Sequence, residues 1–112
     1  MDITGLDLMG RFERGEPLVL LDVRQPDERA FCKIVPPSDV TELFVPMSEI
    51  PDRLSEIRSS SEPGPVVVYC HHGVRSRMAA DWLRARGVVN VLNLAGGIDV
   101  WSRQVDPEVP RY

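Results

Sequence analysis

The segment Cys70-His71-His72-Gly73-Val74-Arg75-Ser76 gathers a thiol, two imidazoles and a guanidinium into one short stretch. A thiolate is a strong nucleophile, and its surroundings decide how much of the sulfur takes that form. Cys70 follows the apolar run Val66-Val67-Val68-Tyr69, which reads as a buried strand. Arg75 opens an amphipathic stretch to Arg86 with Met78, Ala79, Trp82 and Leu83 on the inner face and Gly87 as its stop. A strand-to-helix turn of this length lets backbone N–H groups converge on one point, where the helix N-terminus adds partial positive charge. A thiol at that point is held toward its nucleophilic form, and Gly73 supplies the backbone freedom of a tight cradle. Arg75 is informative in a second way. A cation in the first helical turn opposes the macrodipole, so an anion is expected nearby to offset the cost. The planar guanidinium fork suits a sulfonate, phosphate or persulfide-bearing group.

Plainer readings exist for each residue. Cysteines on buried strands commonly do no more than pack, and a lone Arg is commonly a solvated charge. His71 and His72 could be loop polarity or, with Cys32 and Cys70, a metal site. Adjacent histidines match no standard zinc spacing, so no metal is expected. The conjunction of strand, Cys, Gly-containing loop, Arg and amphipathic helix is what favours chemistry.

The elements that must position this loop follow from pattern. Leu6 to Arg14 carries Leu8, Met9 and Phe12 at helical spacing and stops at Gly15. Leu18 to Val23 reads as a strand buried on both faces. Asp27 is expected to cap a short helix through Phe31, and the Pro-rich stretch Val35 to Asp39 is loop. Leu43 to Val45 reads as a short strand, and Ser48 to Arg58 as a helix with Ile50, Leu54 and Ile57 on one face. Ser59 to Pro65 is a polar loop. Val88 to Leu94 reads as the last strand, Gly96-Gly97 as a turn, Ile98 to Ser102 as a closing helix, and Asp106 to Tyr112 as an extended tail. Hydrophobic strands alternating with helices predict an α/β fold with a mostly parallel central sheet and helices on both faces. In such sheets ligands sit at the carboxyl ends of strands, where Cys70 falls.

A chain of 112 residues suits one domain, here taken as residues 1–112. A net charge of −4 argues against nucleic acid as a partner. The sequence shows neither a signal-peptide pattern nor an apolar run long enough to cross a membrane. Two cysteines make a disulfide framework improbable, so a reducing, cytoplasmic setting is expected. Asp22 and Arg24 read as structural, an acid at a strand end satisfied by amides or an Arg. Cys32 reads as a small buried hydrophobe, and Trp82 and Trp101 as core or lid.

The sequence strongly resembles the rhodanese-like family over nearly its whole length. The resemblance runs through Leu20-Leu21-Asp22-Val23-Arg24, Asp27-Glu28 and Val45-Pro46-Met47-Ser48-Glu49-Ile50. It continues through the Cys70 to Ser76 segment and Asn93-Leu94-Ala95-Gly96-Gly97-Ile98-Asp99-Val100-Trp101. It implies a rhodanese-like α/β domain that transfers sulfane sulfur, with Cys70 accepting it from an anionic donor such as thiosulfate. The persulfide would pass to cyanide, a small thiol or a protein thiol, without a cofactor. Arg75 would bind the donor or steady the persulfide; His71, His72, Gly73 and Val74 would shape the site, and Ser76 would support it. Sulfur-handling members have a six-residue loop from Cys to Arg, as Cys70 to Arg75 does, whereas related phosphatases and arsenate reductases carry one residue more. The fold also serves as a non-catalytic interaction module, although such modules commonly lose the cysteine. The chain departs from the family at Cys32-Lys33-Ile34, where Gly-His-Ile is frequent, and in its longer 35–42 connection.

Overall fold

The computed structural model describes residues 1–61 and 64–112. Five strands form one sheet: β1 (Asp2–Ile3), β2 (Val19–Asp22), β3 (Thr41–Phe44), β4 (Val66–Tyr69) and β5 (Val91–Leu94). Their order is β1-β5-β4-β2-β3, and every pairing is parallel. The helices are α1 (Gly5–Glu13), α2 (Pro26–Phe31), α3 (Leu54–Ser60), α4 (Val74–Ala85) and α5 (Gly97–Gln104). β2 and β4 are buried at all four positions, as continuous apolar runs demand when both faces are covered.

Strand alternation sorts the core into two layers. Leu20, Val67, Tyr69 and Leu94 point to one side, where Leu8 and Phe12 of α1 and Ile98 and Trp101 of α5 cover them. Val19, Leu21, Val66, Val68 and Val91 point to the other, against Ile57 of α3 and Ala79, Ala80 and Leu83 of α4. Asp22 of β2 lies in register with Tyr69 of β4, so the carboxyl ends of the central strands finish together, just below Cys70.

Several local expectations need correction. The 48–58 helix is shorter than its pattern: Met47–Glu49 and Pro51–Arg53 are 3-10 turns, and regular helix begins at Leu54. Pro51 has no N–H to donate, which favours the tighter turns. The Ile50 and Ile57 face is nevertheless buried. Asp27 does not cap α2. Gln25 stands at the cap, and Glu28 Oε1 accepts its backbone N–H at 2.9 Å. On α4 the inner face is Ser76, Ala79, Ala80 and Leu83, while Met78 is exposed. A buried serine at an inward position hid this face from an apolar pattern.

The last strand begins only at Val91, because Val88 N–H still closes the end of α4 on Leu83 O at 3.1 Å and Val89 is exposed. The two-residue β1, paired with β5, was too short to leave a pattern. The tail is not extended: residues 107–109 turn, and Val109 is buried in the core. The expected 59–65 loop includes Glu62 and Pro63, which lie outside the described residues.

Candidate functional site

Cys70 leaves β4 with its side chain 1% exposed, and its sulfur faces the turn into α4. The Gly73 N–H donates to Sγ at 3.1 Å and the Ser76 N–H at 3.4 Å. Two backbone amides thus converge on that sulfur. Gly73 reaches this geometry with φ +98°, a left-handed conformation in which a side chain would also crowd the Gly96 amide. The Ser76 hydroxyl is buried and bonds the Asn93 side chain, tying α4 to β5.

The opposite wall of the loop is built by α5. Ile98 N–H donates to Cys70 O at 2.9 Å, and Asp99 N–H donates to His71 O at 3.0 Å. Gly97, at φ +60°, brings that helix start so close that a Cβ would lie 2.5 Å from both carbonyl oxygens. The Gly96-Gly97 turn therefore sits directly on the loop.

Arg75 does not point at Cys70. Its Nη1 and Nη2 donate to Glu28 Oε1 and Oε2 at 2.7 and 2.9 Å. The anion at this helix start is thus a side chain of α2, where a bound sulfonate, phosphate or persulfide group was expected. The Arg75 fork holds the Glu28 carboxyl down to about 2, and Glu28 in turn raises Arg75 further above its ordinary range.

Tyr112 is the other participant that sequence reasoning did not place here. Its ring stacks on His71 at 3.8 Å and 9°, and its hydroxyl donates to Glu28 Oε2 at 2.6 Å. His71 in turn stacks on His72 at 3.9 Å. Burial, and then the neighbouring His72, pull His71 toward the neutral imidazole. His72 and Val74 are exposed on the rim. Glu28 had a usable signal, because Arg75 needed an anion. Tyr112 had none, since no local pattern links a tail aromatic to a loop 40 residues earlier in the chain.

Below the loop, Arg24 and Asp22 form a fully buried pair, with Nη2 to Oδ2 at 2.8 Å and Nε to Oδ1 at 2.9 Å. The Tyr69 hydroxyl also donates to Asp22, and Arg24 reaches Cys32 O at 2.7 Å and the Tyr112 hydroxyl at 3.0 Å. The structural reading of Asp22 and Arg24 fits this geometry. Cys32 belongs to the core layer of α1 and α5 and Cys70 to the other, so the sheet separates the two sulfurs. For metal, the donor set among the described residues is His71, His72 and Asp99, whose ligand atoms lie within 4.8 Å of one another. The Asp99 oxygens are already paired with Arg103 and Arg111, at 3.1 and 3.4 Å.

The family model for the Rhodanese-like domain matches residues 6–104. A sulfurtransferase of Allochromatium vinosum is 38% identical over 108 residues, covering 96% of this chain and 94% of that protein. An adenylyltransferase and sulfurtransferase of Zea mays, MOCS3-2, is 31% identical over 102 residues, but this chain spans only 20% of its length. Among solved structures, a rhodanese-like domain protein of Staphylococcus aureus superposes with a TM-score of 0.77 at 28% identity, covering 100% of this chain and 99% of that one. Together with the all-parallel sheet and the strand–loop–helix setting of Cys70, these matches place the chain in the rhodanese-like domain family, as a homologue of sulfurtransferases.

Proposed function

We propose that the protein transfers sulfane sulfur from an anionic donor such as thiosulfate to a thiophilic acceptor, through a persulfide on Cys70. The observation that carries this reading is the pair of N–H groups, from Gly73 and Ser76, directed at the Cys70 sulfur. The six-residue span from Cys70 to Arg75 is the length that the family resemblance implies for sulfur handling, and the homology to a sulfurtransferase of similar length supports the reaction class.

In the first half-reaction the Cys70 thiolate attacks the outer sulfur of thiosulfate. The S–S bond of the donor breaks, sulfite leaves with the bonding electrons, and a persulfide anion remains on Cys70. In the second, cyanide or a thiolate attacks the terminal sulfur, and Cys70 leaves as thiolate. No net redox change occurs, and no cofactor takes part. Amides at the loop stabilise whichever sulfur bears the charge. Arg75 is the cation that meets the donor once it parts from Glu28. His71, His72 and Val74 shape the mouth through which the acceptor approaches. Two free thiols suit a reducing compartment, so the activity is assigned to the cytoplasm.

Treating the protein with thiosulfate should add one sulfur atom by intact mass, and cyanide should remove it as thiocyanate. Cys70→Ser should abolish both. A folded wild type that takes up no sulfur from any donor overturns the reading and favours the interaction module. Phosphate-ester hydrolysis lost with Cys70→Ser would favour the phosphatase instead.

A further inference from the structure

The Arg75 guanidinium, the one cation the loop offers an anionic donor, is already held by a carboxylate. Glu28 accepts both Nη donors, the Gln25 backbone N–H and the Tyr112 hydroxyl. Four donors on one carboxylate make it a fixed charge, and its side chain is only 14% exposed. Tyr112 is itself locked. Arg24 can only donate, so its Nη1 fills the acceptor side of the Tyr112 oxygen at 3.0 Å and the phenolic proton must go to Glu28. The ring is held on His71, and burial of Val109 fixes the tail that carries it. Burial, and then Glu28, push the Tyr112 phenol up to about 12, so this proton stays in place across the working pH range.

Resting on the sulfur-transfer reading above, we propose that Glu28, latched by Tyr112, determines donor specificity: it withholds the charge of Arg75, so the site prefers a monoanionic organic persulfide over dianionic thiosulfate. Arg75 and Glu28 together present no net charge to the donor. A thiosulfate dianion must either displace Glu28 from a two-pronged pair or bind beside a carboxylate that repels it. A persulfide carries half that charge and asks less of Arg75, because the amides of Gly73 and Ser76 can hold the single charged sulfur. With such a donor the Cys70 thiolate attacks the terminal sulfur, the donor S–S bond breaks, and the organic thiolate leaves with the electron pair. Glu28 and Tyr112 act through Arg75 and are positioning residues.

Loading of one sulfur onto Cys70 in a single turnover, quenched and read by intact mass, tests this with thiosulfate and with 2-hydroxyethyl persulfide, whose only charge is on the persulfide sulfur, as donors. Glu28→Gln keeps the shape and removes the charge. It should lower the half-saturating thiosulfate concentration by about ten-fold, while shifting persulfide loading several-fold less. Tyr112→Phe keeps the stack on His71 and removes the latch, so it should move thiosulfate in the same direction by a smaller factor. Adding Arg75→Gln to Glu28→Gln should cancel the gain, since the freed guanidinium is its source. If Glu28→Gln raises the half-saturating thiosulfate concentration as Arg75→Gln does, Glu28 aims Arg75 at the donor and the proposal falls. Equal shifts for the two donors overturn it as well. Should Glu28→Gln fail to fold by circular dichroism, Tyr112→Phe decides by the same criteria. Loss of all loading in the wild type would instead defeat the sulfur-transfer reading itself.

Discussion

Asp22 and Arg24 show how charge can be carried through the centre of a small core. Both side chains are fully buried, and each oxygen or nitrogen that leaves water meets a partner. Asp22 also meets Arg29 Nη1 at 3.2 Å, but that partner is part-exposed, so losing Arg24 still leaves the buried carboxylate under-compensated and the cost approaches about 3–5 kcal/mol, whereas removing both charges costs less. Arg24→Met should therefore destabilise strongly, and Asp22→Asn with Arg24→Met should recover part of the loss in urea unfolding. Stability of the double variant below that of Arg24→Met would contradict this account. Glu28 adds a pH-dependent term. Its carboxyl falls from an ordinary 4.5 to about 2 in the folded protein, chiefly through Arg75. A depressed carboxyl stabilises fully above the unfolded value and loses that contribution as pH falls toward the folded one. The wild type should exceed Glu28→Gln by about 1–2 kcal/mol at neutral pH, allowing for solvent screening at the half-open Arg75 side. The gap should close between pH 4.5 and about 2.

At the level of elements, the loop is clamped between two helix starts. α4 supplies the amides on the sulfur, and α5 supplies the amides on the carbonyls of Cys70 and His71. Gly97 is the point of closest approach, with backbone oxygens that cannot swing aside. Gly97→Ala should cost about 2 kcal/mol or more and weaken sulfur loading, because strain and collision add. Gly87 shares the positive φ but has nothing within 4 Å of an added Cβ, so Gly87→Ala should lose only about 1 kcal/mol and keep its loading. Equal effects at the two positions would show that backbone conformation, not the approach to the loop, governs Gly97.

Across the whole molecule, β4 is paired on both edges, to β2 and β5, and sealed on both faces. Amides of β4 and β2 should exchange with deuterium only through global unfolding, and those of β1, a two-residue edge strand, much sooner. Early exchange of β4 would mean that the site rests on a locally opening platform. No helix among the described residues is long and apolar enough to cross a membrane.

Short-range physics made much of this legible from residues alone. Continuous apolar runs announced β2 and β4, helical spacing announced α1 and α4, and the Cys70 to Ser76 segment announced a cysteine loop between a strand and a helix. Those features depend on neighbours in the chain, so a linear pattern records them. Pro51 spoiled regular helix where side-chain spacing alone suggested it, and β1 was too short to have a period. Sequence also raised the expectation of an anion at Arg75, there read as a bound donor group, because of its place at a helix start. Which anion answers, and that Tyr112 latches it, belongs to the tertiary structure alone. Arg75, Glu28 and Tyr112 come from α4, α2 and the tail, and only packing around the shared sheet brings their charges within hydrogen-bond distance.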